Sequence, residues 1–581
     1  MIGFVSRFAA MWVALGFCVR LVLIHELSVS YSWSLLWPRL AIGVLNDLLA
    51  LTLIGAFLGV GLLGGRWIRH AWLALTLGIM AVVLIAEIFF WSEFEGRLDR
   101  LVFHYLGYPK EVLVFLEDQF YLSLFLAPFL LIVWLWYRWV RRWLPDDVPW
   151  HWPAGFFAAG LLTVVLVPVP TPGHSRFLND LASNGYLGVL RAAGTDNRGW
   201  EDAYWAPRIA KPYVKGSVPM PEAIGAKHLI ILVMESYSGQ AWWDPELRPR
   251  YMPQLQKMSG EGVYLAGVYA TGSRTTRGLE AILNGYPPLP GIALNQREGF
   301  EQLPSLPRVL GHAGFHSSFI YGGWPDFSGF FTYWRGTGFD EMTSRYDFDE
   351  PWFETSWGVA DEILFQRVVA EMDRLTREHE RVFVSTLTVT NHRPFDFPDG
   401  RVAYPAHERR AEYAVAYADY ALGAFVEEAR RHDWFDDTLL VVVADHGPKL
   451  IGQALVPIAG YRVPVVLMHP ELGARTVEHL GSTMSLPATL LGLLGVDDNQ
   501  HFYGDNLLDD EQGLAPVEHN FHIGLVEPHG LTVLARGGGV LSWLRDGNTL
   551  APTRENLDAA ERVARLFRHA HERFYRSAAS Q

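Results

Sequence analysis

Two apolar runs of this chain end in groups that bind cations or move protons. HLIILVM (228–234) is followed by Glu235 and Ser236, and TLLVVVA (438–444) by Asp445, His446 and Gly447. If both runs are strands of one parallel sheet, their carboxyl ends share an edge, and a carboxylate meets a carboxylate–imidazole pair there. Oxygen donors with one imidazole and no thiolate suit a single divalent metal, Mn2+ in preference and Zn2+ as an alternative. Alone, a glutamate after a strand is ordinarily solvated and Asp-His-Gly is ordinarily a turn; the coincidence at two strand ends carries the reading. Between them, ATGSRTTRGLEAILNGYPPLPG (270–291) has a Gly-containing turn opening into a helical pattern from about Arg274. A hydroxyl of Thr275 or Thr276 there sits beside free backbone N–H groups and two arginines, Arg274 and Arg277, a setting for a phosphate. Taken alone, such a threonine is an N-cap. LTVTNHRPFDF then places His392 at the same edge, after the run 381–389.

These positions depend on an alternating pattern. Short β-branched runs at 228–234, 381–389, 438–444 and 463–468 are separated by helical periodicities at about 359–377, 408–432 and 484–494. This predicts an α/β domain with a mostly parallel sheet covered by helices on both faces. The stretch 521–550 reads as antiparallel strands with tight turns, and 554–577 as an amphipathic helix.

The chain has 581 residues, 50% hydrophobic and 19% charged, with a net charge of −14. Disorder and a basic nucleic-acid footprint are both excluded by this balance. A mean hydropathy of +0.11 points to membrane spans diluted by a soluble part. Five spans are expected near 4–24, 41–63, 71–91, 120–140 and 153–169. Arg66, Arg69, His70, Arg138, Arg141 and Arg142 mark cytoplasmic loops, whereas acidic residues crowd the loop between spans three and four. The domain after about residue 170 is then extracytoplasmic. The expected organisation is a transmembrane domain 1–170, a linker 171–225 and a catalytic domain 226–581. Arg39 and Asp47, near the start of span two, read equally as structural groups or as contacts to a lipid headgroup. The single cysteine, Cys18, lies in the first span, so the soluble domain forms no disulfide.

Glu235 after a strand in an MES context, the hydroxyl of GSRTTRGLE, the NHRPF segment and ADHG, in this order behind membrane spans, resemble the lipoteichoic acid synthase family. These are membrane-anchored phosphoglycerol transferases of the alkaline phosphatase and sulfatase superfamily. The resemblance implies an alkaline-phosphatase-like fold, with Glu235, the nucleophilic Thr275, Asp445 and His446 on one divalent metal. It places His392 at the substrate phosphate or headgroup and the site on the outer face of a bacterial inner membrane, while the residue types alone put Arg274 or Arg277 near the phosphoryl oxygens. YGGWPDFSGFF (321–331) resembles a headgroup segment, with Tyr321 where the Gram-positive enzymes have a histidine; Trp357 and Arg335 are further candidates beside it. The implied partners are phosphatidylglycerol as donor, a glycan or polyglycerol phosphate as acceptor, and the lipid bilayer. The nearest alternative is a phosphoethanolamine transferase acting on lipid A or a glycan, whose soluble domains typically carry disulfides. A sulfatase lacks support because the Cys/Ser-x-Pro-x-Arg signature is missing around Ser273–Arg277, and a phosphodiesterase using water stays open. A sensor that had lost turnover would lack a ligand, and none of the expected ones is missing. His312, His316, His469 and His501 read as structural or surface residues.

Overall fold

The computed structural model describes the chain except residues 26–30, 95, 99–101, 103–116, 118–121, 146–147, 167–172, 194–212, 214–219, 238–239, 326–328, 349–352, 448–454, 498–500, 510–512, 536–538, 548 and 579–581. It divides into two compact units, Met1–Trp200 with Lys449–Pro457, and Glu201–Pro448 with Ile458–Gln581.

The first unit is helical: α1 Ile2–His25, α2 Trp33–Leu62, α3 Arg66–Phe94, α4 Leu122–Val140, α5 His151–Leu166, and two short helices, α6 Arg176–Ala182 and α7 Gly185–Ala193. Large apolar side chains such as Leu45, Phe57, Val82 and Leu131 stand exposed on these helices, as lipid-facing residues do. Trp12, Leu58, Leu73 and Leu77 close the interior. Among the described residues three helices, not five, are long and apolar enough to cross a membrane: Ile2–His25, Trp33–Leu62 and Arg66–Trp91. The described part of α4 has 19 residues and that of α5 has 16, and at about 1.5 Å per residue α5 falls short of a hydrocarbon core of about 30 Å. The second helix also begins at Trp33 rather than near 41.

Asp47 is a structural group. It is fully buried and pairs with Arg20 of α1, at 2.7 Å from Nη1 to Oδ2 and 3.0 Å from Nη2 to Oδ1. Arg20 also donates to the carbonyls of Gly16, Gly43, Leu181 and Ser183, and Asn184 Nδ2 donates to Asp47 Oδ1 at 2.8 Å. The network ties α1, α2 and the α6–α7 turn together. Gly16 and Gly43 make room for it, since a Cβ at either would lie 2.3 Å from Asp47 or Arg20.

The second unit is built on an eight-stranded sheet: β1 His228–Met234, β2 Val263–Leu265, β3 Phe315–Tyr321, β4 Glu341–Thr343, β5 Arg381–Leu387, β6 Thr438–Ala444, β7 Val465–Met468 and β8 Arg475–Val477. Their order is β8-β2-β7-β6-β1-β5-β3-β4. From β6 to β4 every pairing is parallel, while β7 runs antiparallel to both neighbours. The mostly parallel sheet read from the sequence is therefore present. β1 and β6 are buried along their whole length, as continuous apolar runs between two helical layers must be. The helices that carry the site argument are α8 Thr275–Asn284, α9 Asp361–Glu378, α10 Ala411–Ala429 and α11 Leu486–Leu493. A second, antiparallel sheet of five strands follows, β9 Ala515–His519, β10 His522–Glu527, β11 Gly530–Leu534, β12 Val540–Asp546 and β13 Thr549–Thr553, and the chain closes with α12 Leu557–Ala578.

Candidate active site

Strand register brings the site together. Met234 of β1 pairs with Ala444 of β6, so the residues that follow, Glu235 and Asp445, emerge side by side. On the other flank, the Glu235 N–H donates to Thr388 Oγ1 at 2.9 Å, just beyond β5. Ser236 then turns the chain at a φ of 49°, a left-handed conformation uncommon for a residue with a Cβ. This turn aims the Ser236 N–H at Asp445 Oδ1, 2.9 Å away, and its hydroxyl at Glu235 Oε1 at 2.8 Å.

α8 enters from the opposite side. Thr275 is its first residue, and Arg274 precedes it as an N-cap with no side-chain cap bond; the first N–H groups of such a helix point away from it. Thr275 Oγ1 donates to Glu235 Oε2 at 3.0 Å. The close approach needs glycine at Gly278, where a Cβ would lie 2.3 Å from the Asp445 carbonyl oxygen. His446 Nε2 lies 3.3 Å from Glu235 Oε1 and 3.4 Å from Asp445 Oδ2. His392 Nε2 lies 3.5 Å from Glu235 Oε2, and its ring stacks on Trp357 at 4.3 Å.

The charges in this cluster are strongly coupled. Burial works to raise Glu235, but His392 and His446 outweigh it and hold the carboxyl well below its usual range. Burial, then the Glu235 carboxylate, push Asp445 up to about 7. Burial works to lower His446, but Asp445 and Glu235 raise it to about 9. Donor atoms of Glu235, Asp445 and His446 all lie within 4.8 Å of one another. Asp445 Oδ2 is buried with no hydrogen-bond partner, a costly condition that a cation relieves. The donor set therefore fits a divalent metal ion.

Not every expected residue joins the cluster. Arg277 is buried and turned away: Nη1 binds Glu280 Oε1 at 2.7 Å, and Nη2 donates to the carbonyls of Leu289 and Gly291. It braces the loop after α8, which corrects the expectation of a phosphate contact. Arg274 is half-buried at the helix start. Tyr321 ends β3, buried against Phe330 and Trp334, and burial with the nearby Glu235 charge keeps its phenol protonated. Arg335 lines a surface groove of about 850 Å³ with Glu301, Arg308 and Phe331, and none of the donor cluster lines it. His316 binds Glu341 at 2.8 Å, in keeping with a structural role.

Sequence reading missed several supports. Asn391 Nδ2 donates to the Glu235 carbonyl at 2.9 Å. Asp361, at the start of α9, is fully buried and accepts the N–H groups of Val389 and Thr390; burial pushes it up to about 6. Asn391 could have been found from its place beside His392. Asp361 acts by bonding backbone distant in the chain and Gly278 through packing, so neither leaves a local signal.

The fold agrees with comparison to known proteins. The sequence model of the Sulfatase family matches residues 227–496. Those residues resemble a Sulfatase domain. Phosphoglycerol transferase I of Escherichia coli is 24% identical over 259 residues, which are 41% of this chain and 33% of the relative. The corresponding protein of Salmonella arizonae is 24% identical over 249 residues, 40% of this chain and 32% of the relative. The chain thus spans about a third of the length of the curated relatives it matches. Among solved structures, an alkaline phosphatase superfamily protein from Vibrio parahaemolyticus is 29% identical with a TM-score of 0.58, covering 66% of this chain and 97% of that one. The lipoteichoic acid synthase LtaP from Listeria monocytogenes shares the fold at 18% identity and a TM-score of 0.53, covering 65% of this chain and 98% of that one.

Proposed function

We propose that the protein is a membrane-anchored, metal-dependent transferase that moves glycerol phosphate from phosphatidylglycerol to a hydroxyl acceptor, a glycan or polyglycerol phosphate. The observation that carries this is the Thr275 hydroxyl at the first turn of α8, hydrogen-bonded to Glu235 Oε2 beside a donor cluster fitted to a divalent cation. The names of the similar phosphoglycerol transferases support it.

In this reading Glu235, Asp445 and His446 hold one divalent ion, Mn2+ in preference. When bound, it lowers the pKa of the neighbouring hydroxyl and offsets phosphoryl charge. Glu235 Oε2 orients Thr275 Oγ1, which attacks phosphorus; the bond from phosphorus to the diacylglycerol oxygen breaks, and that oxygen takes a proton. The acceptor hydroxyl then attacks the phosphothreonine, the bond to Oγ1 breaks, and Thr275 regains its proton. His392, with Nε2 3.5 Å from Glu235 Oε2, is placed to hold the headgroup or to move these protons. The free N–H groups at the start of α8 and the Arg274 side chain stabilise the phosphoryl oxygens. The helical unit anchors the chain in the membrane, with the sulfatase-like domain on the extracytoplasmic face.

Incubation with Mn2+ and phosphatidylglycerol, followed by mass spectrometry of the peptide containing Arg274–Arg277, tests the reading. A glycerol phosphate adduct on Thr275 is expected. An adduct from phosphatidylethanolamine alone would replace the donor, and no adduct from either lipid would refute covalent transfer.

A further inference from the structure

The strand ladder of β5 ends at Leu387, five residues short of His392. The Thr388 N–H still reaches the Val233 carbonyl at 3.1 Å, but the next two donors, those of Val389 and Thr390, go instead to one carboxylate. Asp361 Oδ1 accepts each of them at 3.2 Å. Buried N–H groups need partners, and here a side chain of α9 does for the bend what a neighbouring strand does for β5. The segment so held meets Glu235 three times. Thr388 Oγ1 accepts the Glu235 N–H, Asn391 Nδ2 donates to the Glu235 carbonyl, and His392 Nε2 lies 3.5 Å from Glu235 Oε2. The His392 N–H closes the bend on the Val389 carbonyl at 3.1 Å, so a shift of residues 389 and 390 passes directly to the imidazole.

Asp361 itself stands on a firm base. It is the first residue of α9, where the helix dipole favours a carboxylate. Val359, Ala360 and Leu364 around it are buried, and the Val359 and Ala360 N–H groups donate to the carbonyls of Gly322 and Phe353 at 3.0 and 3.1 Å. Four residues earlier, Trp357 Nε1 donates to the Arg393 carbonyl at 2.6 Å and its ring stacks on His392 at 4.3 Å. Residues 357–361 therefore grip the segment 389–393 at two points, one before the histidine and one after it.

We infer that Asp361 is a positioning residue that sets the His392 imidazole against Glu235 and the substrate phosphodiester; this rests on the transfer reading above. Burial presses the Asp361 carboxyl toward its neutral form, and the nearby Glu235 charge adds to that, against the hydrogen bonds it accepts. The site has little use for its charge and much for an oxygen acceptor at a fixed place. An amide of the same shape supplies that acceptor, and a methyl group does not.

The test is a double-mutant cycle on the full chain in detergent with Mn2+ and phosphatidylglycerol, read as kcat/KM for diacylglycerol release. Asp361→Ala is expected to lower it about a hundredfold, but less than about threefold in a His392→Ala background. Asp361→Asn should keep it within about threefold of wild type. If Asp361→Ala does not fold, Asp361→Glu, which moves the acceptor by one methylene, carries the same cycle. Losses that multiply in the double variant overturn the inference, because Asp361 would then act without His392. Asp361→Asn as impaired as Asp361→Ala overturns it too, because charge would then be the requirement. Carbethoxylation by diethyl pyrocarbonate, mapped by mass spectrometry, reads the position of His392 without turnover. His392 should react several-fold faster in Asp361→Ala, or in Asp361→Glu in its place, with His316 unchanged and Asp361→Asn like wild type. Equal His392 reactivity in all the proteins overturns the positioning role. If the wild-type chain releases no diacylglycerol, the transfer reading fails by itself, and the labelling alone then supports or overturns the placement of His392 by Asp361.

Discussion

Thr275 and Thr276 are neighbours in one helical turn, and a hydrogen bond separates their roles. Thr275 donates to Glu235 Oε2; the Thr276 side chain makes no such contact with the donor cluster. Thr275→Ala should therefore lower transfer by about three orders of magnitude or more, while Thr276→Ala should stay within about twofold, both read as kcat/KM on phosphatidylglycerol. The order of the two effects, if reversed, moves the nucleophile by one residue. The cluster also sets a pH dependence for the chain stripped of divalent ions by a chelator. Asp445, raised to about 7, and His446, raised to about 9, bind protons more tightly folded than unfolded. Their contributions are complete below their unfolded values and are lost as pH rises through about 7 and then about 9. Glu235 works oppositely, its contribution being lost as pH falls through its depressed folded value. Thermal unfolding of the chelated protein should thus show Tm falling from mildly acidic pH toward pH 9. Mn2+ needs deprotonated carboxylates and a neutral His446, so added Mn2+ should raise Tm more at alkaline than at acidic pH. At this scale the sequence showed Glu235, Asp445, His446 and His392 because each directly follows or closely trails a β-branched run. Ser236 and Asp361 were hidden because their work is to bond backbone or carboxylate atoms of residues distant in the chain.

β1 and β6 were legible to the residue because a strand buried on both faces is an uninterrupted apolar run bounded by polar groups. β3 was not, because His316, Ser317 and Ser318 break its run; Ser317 instead binds Asp340 through both its N–H and its hydroxyl. The helices α6 and α7 were read as irregular linker, since each is under ten residues and held by tertiary bonds such as that from Arg20 to the Leu181 carbonyl. The seating of α8 on β6 depends on Gly278. Gly278→Ala should push the first turn of α8 off Asp445, costing about 1–3 kcal/mol from overpacking and weakening Mn2+ binding, both measurable by unfolding with and without the ion. In the helical unit, Asp47→Leu leaves the Arg20 charge buried without its counterion, a loss of about 3–5 kcal/mol. Arg20→Met in that background should recover part of it. Unfolding of the two variants in detergent decides whether the pair acts as a unit, because independent contributions would make the double variant the less stable of the two.

The whole molecule joins a helical unit that is apolar on its outside to an α/β domain, and the number of crossings decides which side the second one faces. Three helices are long enough to cross by themselves among the described residues; α4 and α5 supply two further apolar helices of 19 and 16 residues. Either three or five crossings from a cytoplasmic N-terminus put the catalytic domain outside, but they disagree about the loop between α4 and α5. Arg138, Arg141 and Arg142 belong to the basic set that favours the cytoplasm, which predicts five. In a Cys18→Ser background, an Arg142→Cys variant should resist a membrane-impermeant maleimide in spheroplasts and react only after permeabilisation, whereas Glu555→Cys should react at once. Both positions are exposed in the structure, so resistance reports sidedness rather than burial. Equal labelling of the two from outside would place α4 and α5 on the outer surface, leaving three crossings. The lipid donor would then meet a domain tethered through two interfacial helices instead of one resting directly after a span. Labelling of Glu555→Cys only after permeabilisation would put the domain in the cytoplasm and remove access to any extracytoplasmic acceptor.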